Sequence, residues 1–307
     1  MKTKQLLMLT VAVLLALVAG WLWLRLHQGS SVAEAKTSTG QGAASPASSG
    51  LPPSLDRAGN QPKAATTQTA DRADKIQPNA RPAWVEALFR DPTRRPRLAD
   101  MKPLSPELEA ELIAYYRSLP SITNKLGLAG ALAYAGGEAS VDLLIYSLTR
   151  EYEGRRFKLI GEGVQLAWLT RYLGLAAAHS ERAYQFLCEG LNPAFWTTNA
   201  TWSAPYFDPV GRLPGLCIDG LSVSGRDDAW ELLLKLKTNP GAINVVTLSG
   251  HLCDAAFDRA MMAEMGREKF LDNFWLTEAS IRRMREWWKT PAGKEWHEWM
   301  ERVQGIK

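Results

Sequence analysis

The stretch Leu126 to Leu148, LGLAGALAYAGGEASVDLLIYSL, constrains the fold more than any other part of the chain. In its second half Val141, Leu144, Ile145 and Leu148 recur at i, i+3, i+4 and i+7, the period of an amphipathic helix. In its first half Leu126, Leu128, Ala131, Leu132 and Ala135 gather on one helical face. Between the halves stands Gly136-Gly137, and glycine reaches φ > 0 without strain, so it can end a helix and reverse the chain. Glu138 follows, where a carboxylate suits the positive end of a helix. The pattern predicts a helical hairpin. Gly127, Ala129, Gly130, Ala131 and Ala133 leave room for a neighbouring helix to come close.

The hairpin recurs. An ungapped shift of 89 residues sets Leu132 on Leu221, Gly136 on Gly225, Glu138 on Asp227 and Val141 on Trp230, with Leu143-Leu144 on Leu232-Leu233. A weaker copy near a shift of 43 supplies Leu175, Glu181, Tyr184, Leu187 and Leu191. The longer shift is about two units of ~40–47 residues, the period of two-helix repeats. Ala131, Leu132, Ala133, Gly136, Glu138, Val141 and Leu144 follow a small-Leu-small-x-x-Gly-acidic-x-x-Ala/Val-x-x-Leu pattern. On those residues the segment resembles the HEAT family of helical repeats, in particular its short bacterial units. The resemblance covers about residues 121–260, with one clear unit at 126–148, a second at 215–237 and a weak one between. It implies an all-α fold, a right-handed α-α superhelix, and a role in binding proteins.

The amino-terminal part reads differently. Lys2 and Lys4 precede Leu6 to Leu24, an uncharged apolar run close to the ~20 residues that cross a bilayer as a helix. Trp21 and Trp23 stand at its far end, where aromatic rings favour the interface. The reading is an uncleaved single-pass anchor over residues 6–26. A cleavable signal peptide is the rival, with an apolar core usually of about 7–15 residues. The lysines favour residues 1–5 in the cytoplasm, which puts the rest outside the inner (plasma) membrane, in the periplasm of a Gram-negative cell. Residues 27–81 are rich in Ser, Ala, Thr, Gly, Gln and Pro and nearly free of large apolar residues, so they read as a disordered linker with an average reach of ~40 Å. Residues 82–307 then form the helical-repeat domain, closed by a tryptophan-rich helical cap holding Trp275, Trp287, Trp288, Trp296 and Trp299.

The formal net charge of +4 does not argue for nucleic acid. Residues 83–307 hold 27 basic and 28 acidic side chains, so the excess lies in the amino-terminal arm. Cys188, Cys217 and Cys253 sit far apart in apolar helical contexts and read as small core residues, with one disulfide as the alternative in an extracytoplasmic setting.

No motif for catalysis or for a cofactor emerges, and the expectation is a protein that is not an enzyme. His251, Asp254 and Asp258 share a helical face, but without a metal-binding spacing they read as a surface histidine with two carboxylates. Gly220 to Gly225 lacks both Gly-x-Ser-x-Gly and a preceding strand, so it is no nucleophile elbow. The candidate partner surface is the stretch 196–212, through Trp196, Trp202, Tyr206, Phe207, Asp208 and Arg212. Exposed aromatics anchor protein interfaces or stack on sugars, whereas rings that pack onto the helices would instead cover core. The expected function is therefore a membrane-anchored scaffold that binds a protein. The alternative is a cell-envelope glycan-binding protein or hydrolase using that stretch.

Overall fold

A computed structural model describes residues 81–273 and 278–306. The anchor expected at 6–26, the linker expected at 27–81 apart from its last residue, and Trp275 lie outside the described residues. Among the described residues no helix is long and apolar enough to cross a membrane. These residues are all-helical and contain no strand, only isolated bridges at Arg156–Ser203 and Ala204–Phe207.

The repeated stretches are helical hairpins with matched boundaries. Helix α1 (Ala83–Arg90) and α2 (Pro106–Ser118) lead into the first hairpin, α3 (Leu126–Ala135) and α4 (Glu138–Thr149). After α5 (Ile160–Ala167) come α6 (Leu169–Ala177) and α7 (Glu181–Glu189). After α8 (Pro193–Asn199) come α9 (Pro209–Ser224) and α10 (Asp227–Thr238). The same 89-residue shift carries both ends of α4 onto both ends of α10, and the shorter shift carries the start of α4 onto the start of α7. The first helices of the hairpins form a row, with α3 against α6 and α6 against α9, and α9 packs on α11 (Val245–Met265).

An acidic residue joins each unit to the next. Glu138, at the start of α4, accepts a 2.8 Å hydrogen bond from Ser180 Oγ, whose residue caps α7. Glu181, at the start of α7, lies 3.0 Å from the guanidinium of Arg226, the residue that precedes α10. Asp227, at the start of α10, pairs with Arg259 of α11. The carboxylate that favours the helix N-terminus thus also ties its hairpin to the following one.

The glycines at the two hairpin corners act in different ways. Gly225 takes φ 74, the left-handed turn that the sequence suggests. Gly136 stays extended at φ −83, and the requirement there is space: a Cβ would fall 2.1 Å from Ser140 Oγ and 2.5 Å from Leu132 O. Within the row, α6 and α9 touch through Gly174 and Gly220; a Cβ on Gly174 would stand 2.1 Å from the Gly220 carbonyl oxygen.

The carboxy-terminal segment turns back across the row. Helix α12 (Arg267–Asn273) meets the turn Leu98–Asp100. Arg267 donates to the carbonyl oxygens of Val223 and Leu175, at the ends of α9 and α6. Helix α13 (Glu278–Trp287) and α14 (Pro291–Val303) follow, with Trp287, Trp296 and Trp299 buried and α14 packed along α11. The basic stretch Asp91–Arg97 lies against α3, where the Leu128 N–H donates to Pro92 O. There Gly127 admits the backbone of Thr93 and Arg94, and Gly130 admits the Arg95 side chain.

Candidate functional site

The stretch 196–212 divides into a buried half and an exposed half. Asn192 accepts from the Ala194 N–H and Pro193 follows it, so α8 forms and carries the first residues of the stretch. Trp196 on α8 is fully buried, donates its indole N–H to Gly190 O at 2.7 Å and meets Phe186 and Phe195 edge-on. Trp202 is 3% exposed, donates to Leu148 O at 2.8 Å and lies between the rings of Phe157 and Phe207. These two tryptophans present no face to solvent and cannot serve as the partner contacts expected of them. They fasten the segment to the first two hairpins instead, and the half-buried Phe207 completes the stack under Tyr206. Asp208 caps α9, its carboxylate accepting from the N–H groups of Val210 and Gly211. Tyr206 and Arg212 are exposed, Tyr206 at 94%.

A second group of polar residues meets between α6, α9 and α11. His251 Nδ1 lies 2.8 Å from Asp219 Oδ1. Asp258 accepts from Ser222 Oγ at 2.9 Å, and the Arg171 guanidinium reaches its Oδ2 at 3.5 Å. Asp254, one turn beyond His251, stands at the rim and opens to solvent. The ring of His251 lies over Gly215, where a Cβ would fall 2.5 Å from Nε2. Pairs 215–251, 219–251 and 222–258 advance together, so α9 and α11 run parallel and share a charged seam.

Three carboxylates face one guanidinium and one imidazole here. Burial first, then the competing pull of Arg171, leaves the Asp258 carboxyl pushed up to about 7. Crowding by surrounding protein and the charge of Asp219 raise Asp254 to about 6, although one side of it meets water. Burial opposes charge on His251, but Asp219, through its charge and hydrogen bond, and then Asp254 outweigh that and hold its pKa above the ordinary imidazole value. The face His251–Asp254–Asp258, read from sequence as an exposed surface, is therefore a largely buried seam completed by Asp219, Ser222 and Arg171. Those three partners come from other helices, and no local spacing announces them.

Two further polar features have structural roles. Lys125 is buried, pairs with Glu151 and lies 4.6 Å from the centre of the Tyr116 ring, tying the turn Ile122–Lys125 to the end of α4. The three cysteines are free. Burial pushes the Cys217 thiol well up and Cys253 up to about 12, so neither is a ready nucleophile.

Among the described residues no group of three or more His, Cys, Asp or Glu has an arrangement that would hold a metal ion. Comparison with known proteins gives no match, whether to a family model, to a curated protein or to a solved structure.

Proposed function

We propose that this chain is a membrane-tethered helical-repeat scaffold that binds a protein partner. The observation that carries the reading is the repeated joint between hairpins: Glu138 to Ser180, then Glu181 to Arg226. Units that each contact the next through equivalent residues build an extended framework of the kind that solenoid proteins use to display a binding face. In this reading the row is a HEAT-like α-solenoid, and residues 6–26 anchor it with the folded part in the periplasm. The candidate partner contacts are two exposed side chains, Arg212 at the start of α9 and Asp254 on α11. The glycan alternative loses the two indole faces it relied on, since Trp196 and Trp202 are buried.

In-cell crosslinking of the tagged full-length chain, followed by mass spectrometry, tests the proposal. Arg212→Glu and Asp254→Lys are the informative variants, because both side chains are exposed. A deletion of 195–211 would remove two core tryptophans. One dominant protein partner, lost in the variants, is the expected outcome. Recovery of no protein partner from the correctly folded chain overturns the binding reading. A mature protein that begins after the apolar run overturns the anchor.

A further inference from the structure

The segment 155–160 and the turn 204–207 lie side by side. Ser203 N–H donates to Arg155 O at 3.1 Å, and Phe157 N–H donates to Ser203 O at 2.9 Å. A few residues on, Gly163 of α5 approaches so closely that a Cβ there would fall 2.5 Å from Ala204 Cβ. Leu159 and Ile160 therefore arc between two points that are both pinned to residues 203–204. They are 67% and 44% exposed, beside a Tyr206 at 94%.

Tyr206 is held in an unusual conformation. Its φ is 58, the left-handed region that bulky residues rarely enter, and no other non-glycine described residue has a positive φ. Beneath the turn, Trp202 stacks on Phe207 at 5.7 Å and is fixed by its bond to Leu148 O. The strained turn thus rests on a rigid base and holds an aromatic side chain out in solvent. Arg155, Arg156 and Lys158 are exposed on the adjoining segment, and Glu162 lies 4.0 Å from Arg155.

We propose that this surface docks onto an anionic lipid bilayer, with Leu159, Ile160 and Tyr206 entering the headgroup region and Arg155, Arg156 and Lys158 meeting lipid phosphates. Tyrosine and aliphatic tips favour the membrane interface, and each basic residue near an anionic surface adds to binding. A protein partner is the competing occupant, since tyrosine and arginine also serve at protein interfaces, and the test distinguishes the two. The inference rests on the membrane-tether reading, which keeps the domain within reach of a bilayer. It adds that one face of the domain lies against that bilayer.

The test uses the full-length chain in vesicles of phosphatidylcholine, with or without phosphatidylglycerol. Resistance to alkaline carbonate extraction reports the anchor, and amide exchange over 155–161 and 204–208 reports the docking, so the two readings fail separately. Exchange in both segments is expected to slow at least tenfold in the anionic vesicles only. Reversing the charge of Arg155, Arg156 and Lys158 together is expected to weaken the effect by about 10- to 100-fold. Tyr206→Gly suits the backbone angle, keeps the fold and also weakens docking. If exchange is the same in both vesicle types while the domain is folded and accessible, the proposal is overturned. It is equally overturned if these amides slow only when a protein partner is added.

Discussion

His251 Nδ1 lies 2.8 Å from Asp219 Oδ1 across the parallel seam of α9 and α11, between residues 32 apart in the chain. The bond belongs to a group that holds protons near neutrality, and this sets a direction for stability. Asp258 at about 7 and Asp254 at about 6 keep protons that the unfolded chain releases near pH 4. The folded state then binds more protons than the unfolded one, so stability falls as pH rises from about 4 through 7. The raised pKa of His251 adds a loss of the same sign as pH passes through it. Asp258, the more buried carboxylate, carries the larger share, on the order of 2–4 kcal/mol across the range. The midpoint of thermal unfolding is expected to be higher at pH 5 than at pH 8, and Asp258→Asn is expected to flatten the slope. An unchanged slope in that variant removes Asp258 as its source.

The row of helices depends on glycine at the α6–α9 contact. A Cβ on Gly174 would stand 2.1 Å from Gly220 O, and one on Gly220 would stand 2.5 Å from Thr170 O; both obstacles are backbone. Gly174→Ala and Gly220→Ala are each expected to cost ~2–3 kcal/mol or more, because the helices must move apart. Gly161→Ala is the control. No atom lies within 4 Å of its would-be Cβ, and a helical alanine in place of glycine is expected to be neutral or to stabilise by ~0.5 kcal/mol. Urea unfolding of the three variants measures the difference.

Trp202 and Tyr206, four residues apart, are expected to respond in opposite ways. Trp202→Ala removes a buried ring and leaves Leu148 O without its indole donor, a loss of ~3–5 kcal/mol. Tyr206→Ala changes stability by no more than ~0.5 kcal/mol, since its ring is almost wholly in solvent. Equilibrium unfolding read by circular dichroism separates the two. Equal costs would mean that the turn, and not the Trp202 ring, holds the segment.

The sequence carries the features that depend on near neighbours. Helix starts at Glu138, Glu181 and Asp227 follow from the repeat, and Ser105-Pro106 and Thr290-Pro291 cap α2 and α14 as their residue types dictate. Asn192-Pro193 and Asp208-Pro209 are the same signal, and they start α8 and α9 inside a stretch whose aromatic and polar mixture suggests a loop. Periodicity also runs unbroken from Ile160 to Ala178, although the chain divides there at Trp168 into α5 and α6. What local pattern does not carry is partnership across the fold. An aromatic side chain among Asn, Thr and Pro looks the same whether it stands in water or finds Gly190 O and Leu148 O. His251 with two carboxylates looks like a surface face until Asp219 and Arg171 arrive from other helices. Ile160 opens α5 and Leu159 precedes it, and both are exposed although their side chains are large and aliphatic.

A clasp between distant parts of the chain closes the domain. Asp272 on α12 accepts the Leu98 N–H with both oxygens, at 2.9 and 3.0 Å, and lies 3.5 Å from Arg95. Arg95 also donates to Leu271 O at 2.9 Å while its stem crosses Gly130 of α3. Both charges are largely buried, with side-chain exposures of 16% and 11%, so removing one partner leaves the other desolvated. Asp272→Ala is expected to cost ~3 kcal/mol, and a double-mutant cycle with Arg95→Ala is expected to give a coupling of ~1–3 kcal/mol. Amide exchange should locate the effect. The Leu98 amide loses its acceptor and exchanges faster, while amides in α6 and α9 keep their protection, because Gly174 and Gly220 hold that contact without the clasp. A coupling near zero with an unchanged Leu98 amide would show that α12 is held by Phe257 against Phe270 and by the buried Leu271, with the ion pair contributing nothing.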